Sequence, residues 1–71
     1  MAYDDDALAR ANRHIADAMR HIADQRACIN MLRRDGHGTA EAEKLLVLFE
    51  TSLTLMIEHR DMILRDLGRD N

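Results

Sequence analysis

Proline and tryptophan are absent from this chain, which holds one cysteine, one tyrosine, one phenylalanine and three glycines among 71 residues. Without proline, nothing inside a long helical pattern forces a kink or a stop. A lone cysteine, Cys28, excludes an internal disulfide. A domain this small buries a smaller fraction of its surface than a large one does, and small folds compensate with disulfides, a metal or self-association. Here the last two remain. Excess positive charge is lacking as well: the formal net charge is −3, which offers no general attraction to phosphate backbones or anionic lipid. No nucleic acid and no membrane is expected as a partner. The longest apolar-leaning run, 45–57, carries Glu50 inside it and falls short of the roughly 20 residues that a bilayer requires. The chain opens on Asp4-Asp5-Asp6 instead of a basic and then apolar leader, and with one unpaired thiol this reads as a cytoplasmic protein.

What is present is helical patterning on either side of one hinge. In RRDGHGTAEAE, Arg33 and Arg34 favour the negative end of a helix dipole, and Gly36 is free to take a left-handed conformation just beyond it. Thr39 is placed to cap a second helix whose first turns carry Glu41 and Glu43. The expectation is a single domain over 1–71, with a helix over 4–34, a hinge at 35–39 and a helix over 40–67. In the first helix, Leu8, Ala11, Ile15, Ala18, Ile22, Gln25, Ile29 and Leu32 recur at alternating spacings of three and four, the seam of a coiled coil. Arg13, Ala16, Asp17, Arg20, Ala23 and Asp24 fall on the far, solvated face. The near-duplication RHIADAMRHIAD at 13–24 follows from this rhythm. Each heptad contributes a seam isoleucine, an outward arginine and aspartate, and a histidine beside the seam.

The second helix carries more apolar surface. Ala42, Leu46, Phe49, Leu53, Met56, Ile63 and Leu67 form one seam, and Leu45, Leu48, Leu55 and Met62 widen it until the apolar arc exceeds half of the circumference. Its other face, with Glu43, Glu50, Glu58, Asp61 and Arg65, is mostly acidic, unlike the basic face of an amphipathic membrane helix. One neighbouring helix cannot cover so wide an arc. The expected fold is therefore all-α: an antiparallel two-helix hairpin that pairs with a second copy into a homodimeric four-helix bundle. Leu45, Leu48, Phe49, Leu55, Met56, Met62 and Ile63 are the expected interface.

Few residues invite a reading beyond packing. A short hinge brings Ile15 close to His59 and Arg60, so that His14, His59 and Arg60, joined by Asn12, form a polar cluster near the open end of the hairpin. Such a cluster is either a site for an anion, a metal or a partner, or an amphipathic rim that stays partly wet. Arg60 falls on the seam, where an unpaired buried charge is costly; an acidic partner is expected, Asp17 or an acid of the second subunit. His14, His21 and Cys28 line one flank of the first helix and, with His59, supply donor types that zinc or copper accept. Residues seven apart lie roughly 10 Å apart along a helix, too far for one ion, so no metal and no cofactor is assigned. Cys28, with no base beside it, reads as a small buried hydrophobe. Gln25 interrupts the seam as a polar residue that sets register and partner number. Met56 and Met62 read as fillers of a bundle core, and His37 as an exposed hinge residue.

His14, Ile15 and Ala16, then Gln25, Ile29, Leu32 and Gly36, Thr39 and Ala42, and the late pair His59 and Arg60 carry a resemblance over most of the chain. In these positions it resembles short uncharacterised helical-hairpin proteins of alphaproteobacteria, a group with no assigned activity. The resemblance implies a small bacterial cytoplasmic helical protein. Catalysis is not expected, because bundle enzymes turn carboxylates inward with Glu-x-x-His pairs, and this chain has no such pair. The reading is a non-enzymatic hairpin that associates with itself and binds another helical protein by helix packing. Two rivals stand beside it: a metal or small-anion binder using His14, His59 and Arg60, and a monomeric adaptor that completes its core on a target protein.

Overall fold

The computed structural model describes residues 3–69, a rod of 52 × 19 × 15 Å built from two helices. Helix α1 spans Asp5–Arg34 and α2 spans Ala40–Asp66, packed against each other as a hairpin. Among the described residues there is no strand.

Each helix end has a local cause. The Asp4 carboxylate accepts a hydrogen bond from the Ala7 amide at 2.8 Å and caps α1, while Asp5 and Asp6 set negative charge against the positive end of the dipole. Gly36, at φ +76°, turns the chain out of α1. Its amide donates to the Arg33 carbonyl at 3.1 Å and the His37 amide to the Leu32 carbonyl at 2.9 Å, the paired bonds of a Schellman motif. Gly68, at φ +74°, repeats the device after α2: its amide donates to the Arg65 carbonyl and that of Arg69 to the Leu64 carbonyl.

Thr39 departs from its expected role. It precedes α2 at φ −117° and ψ 4°, outside the extended region in which a capping hydroxyl faces the first amides, and its side chain makes no cap bond. The hydroxyl donates instead to the Glu43 carboxylate at 2.7 Å, a charged and therefore stronger acceptor.

The core is one line of side chains. Ala11, Ile15, Ile22 and Ile29 are buried on α1, and α2 answers with Ile63, at 1% exposure the most enclosed residue. Leu8, Ala18, Gln25 and Leu32 flank the line on α1, with Leu46, Phe49, Leu53 and Met56 on α2, all half-buried. Ile63 thus belongs to the hairpin's own core and not to the interface with a second copy where the seam pattern put it, because its side of α2 is already occupied by α1.

Two substitutions separate packing from backbone conformation. Ile63→Ala should lower the unfolding free energy by about 2–5 kcal/mol, the usual cost of emptying a buried isoleucine site, measured by urea denaturation. Gly36→Ala should cost about 1–2 kcal/mol from its left-handed φ alone, since nothing lies within 4 Å of an added Cβ. Gly38→Ala meets open space without a positive φ, and should be neutral or stabilising by up to about 1 kcal/mol.

Candidate functional site

Two grooves run along the hairpin, one on each side of the contact line, and they differ in chemistry. Arg26 donates to Glu50 across the first at 2.8 Å, and Arg33 to Glu43 at 3.0 Å. Both glutamates, expected on the outer face of α2, therefore reach towards α1. These pairs are roughly half exposed, so each contributes at most about 1 kcal/mol. Their larger effect is to line that groove with charge. The second groove is lined by Ala18 and His21 of α1 and by Phe49, Ser52 and Met56 of α2, with the His21 and Phe49 rings 6.4 Å apart. Among the described residues no ion pair joins the helices along this stretch; Asp17 at its edge pairs with Arg20 of its own helix at 3.0 Å.

Next to the second groove lies a row of exposed apolar side chains. Leu48, Leu55 and Met62 are 63%, 60% and 52% exposed, and Leu45 is 41% exposed. Leu48, Leu55 and Met62 each precede by one residue Phe49, Met56 and Ile63, which face α1, and one residue is a rotation of about 100° on a helix. They consequently lie beside the seam and beyond the reach of α1. With Ser52 and His59 interleaved, the row Leu45, Leu48, Ser52, Leu55, His59 and Met62 alternates by three and four. It is a second heptad seam on the same helix. Of the seven expected interface residues, these four apolar members are exposed, Phe49 and Met56 are half-buried at the edge of the groove, and Ile63 is enclosed. Met19, Met31 and Val47 are also exposed but stand outside the row.

The polar cluster is assembled in part. At the open end Tyr3, Asp4, Arg10, His14, His59 and Ile63 line a cleft of about 310 Å³, and the Tyr3 ring stands edge-on to that of His59 with centroids 5.7 Å apart. His14 and His59 share it. Arg60 does not line it: its guanidinium turns to Asp61, with Nη2 3.1 Å from Oδ1, so its acidic partner is the adjacent residue and not Asp17. The half-buried backbone position leaves the long side chain free to snorkel sideways to the nearest carboxylate. Asn12 is exposed and outside the cleft. Arg10 takes the basic place instead, and its position four residues before His14, one turn along the same face, is the signal that would have found it.

Cys28 is exposed, not buried. It precedes Ile29 by one residue, and the same rotation of about 100° that exposes Leu48 takes it off the core line. His21 and His14, one and two heptads before it, are exposed as well. Among the described residues no group of three histidine, cysteine, aspartate or glutamate side chains converges as a donor set for a metal ion.

Gln25 bridges the helices. Its side-chain amide donates to the Ala42 carbonyl in the first turn of α2 at 2.9 Å from a part-buried position. A slip of one helix past the other would strand this amide, so the bond favours a single register.

No family model, curated protein or solved structure matches the chain. Among the described residues no helix is long and apolar enough to cross a membrane.

Gln25→Ala should lower stability by about 1 kcal/mol through the lost bond, and Arg26→Ala by less than about 1 kcal/mol, since its partner stays solvated. Chemical denaturation of the two variants in parallel checks that order.

Proposed function

We propose that this chain is a non-enzymatic assembly protein: a helical hairpin that pairs with a second copy into a four-helix bundle, and whose paired form binds a further helical protein by helix packing. The observation that carries this reading is the second heptad seam of α2. A scattered exposed leucine needs no explanation, but a regular apolar row continuous with the half-buried Phe49 and Met56 has the character of an interaction surface. A helix that repeats apolar residues at heptad spacing, Leu48, Leu55 and Met62 with Leu45 ahead of them, on a face its own hairpin leaves open is suited to receive another helix.

A second copy is the simplest occupant. It is present wherever the chain is present, it offers the same seam in return, and closed twofold pairs are the commonest soluble oligomers. Pairing also removes the defect of a small fold, because the side chains that cannot reach α1 then leave water. The ion-paired groove stays outside, where Arg26, Glu50, Arg33 and Glu43 keep their hydration and avoid the cost of burial.

Sedimentation equilibrium over a micromolar concentration range should give twice the 8.1 kDa chain mass. Leu48→Glu combined with Leu55→Glu should return it to a monomer of unchanged helical content, because two carboxylates cannot enter an apolar seam unpaired. A wild-type mass that stays monomeric at every concentration, with cooperative unfolding, overturns the reading in favour of an adaptor that completes its core on another protein.

A further inference from the structure

We infer that the cleft at the open end of the hairpin is a binding site for a phosphate group, held between Arg10 and His14 of α1 and His59 of α2. The cleft is formed within one chain, so the inference does not rest on the self-association proposed above.

The sequence supplies the space and the donors together. Ala7, Arg10, Ala11 and His14 recur at spacings of three, one and three, a single face of α1. Further along the helix the contact line is filled by Ile15, Ile22 and Ile29. At this end the small side chains of Ala7 and Ala11 leave about 310 Å³ in front of Ile63, with Arg10 and His14 on one side and His59 on the other. The Tyr3 ring completes the wall, edge-on to the His59 imidazole with centroids 5.7 Å apart. A water molecule occupies roughly 30 Å³, so the cleft has room for a tetrahedral oxyanion.

Charge selects the ligand. Arg20, Arg26, Arg33, Arg60 and Arg69 each meet a carboxylate. Among the described residues Arg10 meets none, although Asp6 lies one turn before it. The neighbouring acids are committed elsewhere. Asp4, the one acid lining the cleft, accepts from the Ala7 amide at 2.8 Å, and Asp5 holds Arg69 at 2.6 Å. Against that single capping carboxylate stand a guanidinium and two imidazoles. A guanidinium presents a planar fork of N–H donors that matches phosphate oxygens. Imidazole is the side chain that ordinarily gains a proton near neutrality, so a bound anion draws charge onto both rings. A metal ion is the poorer occupant, because the guanidinium repels it and no donor set for a metal converges among the described residues.

Proton NMR of the full chain tests the site, with sodium chloride exchanged for sodium phosphate at constant, mildly acidic pH and constant ionic strength. The imidazole C2 protons of all four histidines are followed, those of the cleft assigned with His14→Gln and His59→Gln. The expected result is a saturable shift at His14 and His59, half complete at on the order of 1 mM phosphate, the strength of a few charge-assisted bonds in a solvated cleft. His21, in another groove, and His37, in the hinge, should not follow. Arg10→Ala should abolish the shifts. Arg13→Ala removes the same charge from an exposed position outside the cleft and should keep them; circular dichroism of both variants should show unchanged helix. Phenyl phosphate should saturate the same two histidines, at a lower concentration than the inorganic ion if the natural ligand is a phosphate monoester and at an equal or higher one if it is the free ion; either supports the inference. A parallel drift of all four histidines overturns it, as do equal loss in the two arginine variants, shifts that survive Arg10→Ala, and the absence of any shift.

Discussion

Two rods laid side by side share one line of contact, and this single geometric limit governs the molecule. Helices pack with axes about 8–10 Å apart, so each can hide one stripe of its surface from water and no more. α1 is matched to that limit. Its isoleucines Ile15, Ile22 and Ile29 and the small Ala11 lie on the line and are buried, Leu8 and Leu32 flank it half-buried, and Met19 and Met31 are its exposed large apolar side chains. α2 exceeds it, for Ile63 alone reaches full burial while Leu48, Leu55 and Met62 remain in solvent. The asymmetry between the two helices is one of amount: both carry a seam, and one carries a second.

The interactions that hold the hairpin divide between energy and direction. Burial of the isoleucine line is non-directional and sets how strongly the helices associate. Direction comes from weaker contacts placed where a slip would break them. Gln25 reaches the Ala42 carbonyl near the hinge, the Arg26–Glu50 pair lies further along the rod, and Arg69 meets Asp5 at 2.6 Å at the open end. The two Schellman turns stop each helix at a fixed residue, so the lengths presented to one another are set by Gly36 and Gly68 as much as by the seam.

How much of this can be read from the residues alone depends on the range over which each feature is decided. The helices, the hinge at Gly36 and the isoleucine line are written in local spacing, and so is the surplus of leucine on α2. The contacts of individual side chains are not. Cys28 and Ile29 are neighbours in the same periodic pattern, yet one is exposed and the other buried, because a flank position beside the seam is covered only where the partner helix is wide enough to reach it. Arg60 lies on the seam by spacing, but its partner was chosen by the reach and rotamer of a long side chain, which no periodicity records. Thr39 has the right chemistry for a cap and the wrong ψ. The polar cluster was half legible: the hinge brings His14 and His59 to one cleft and Arg10 joins them one turn before His14, whereas Tyr3 enters from ahead of α1, where no helical spacing applies.

The contact between Asp5 and Arg69 has a topological consequence. It gathers the beginning of α1 and the end of α2 at one pole of a rod 52 Å long, and leaves Gly36, His37 and Gly38 at the other. Polypeptide joined ahead of the first helix or behind the second would hang from the same pole, like two tethers on one ring. The loop at the far pole would then project into solution unencumbered, the natural place to splice in a foreign segment without disturbing the isoleucine line.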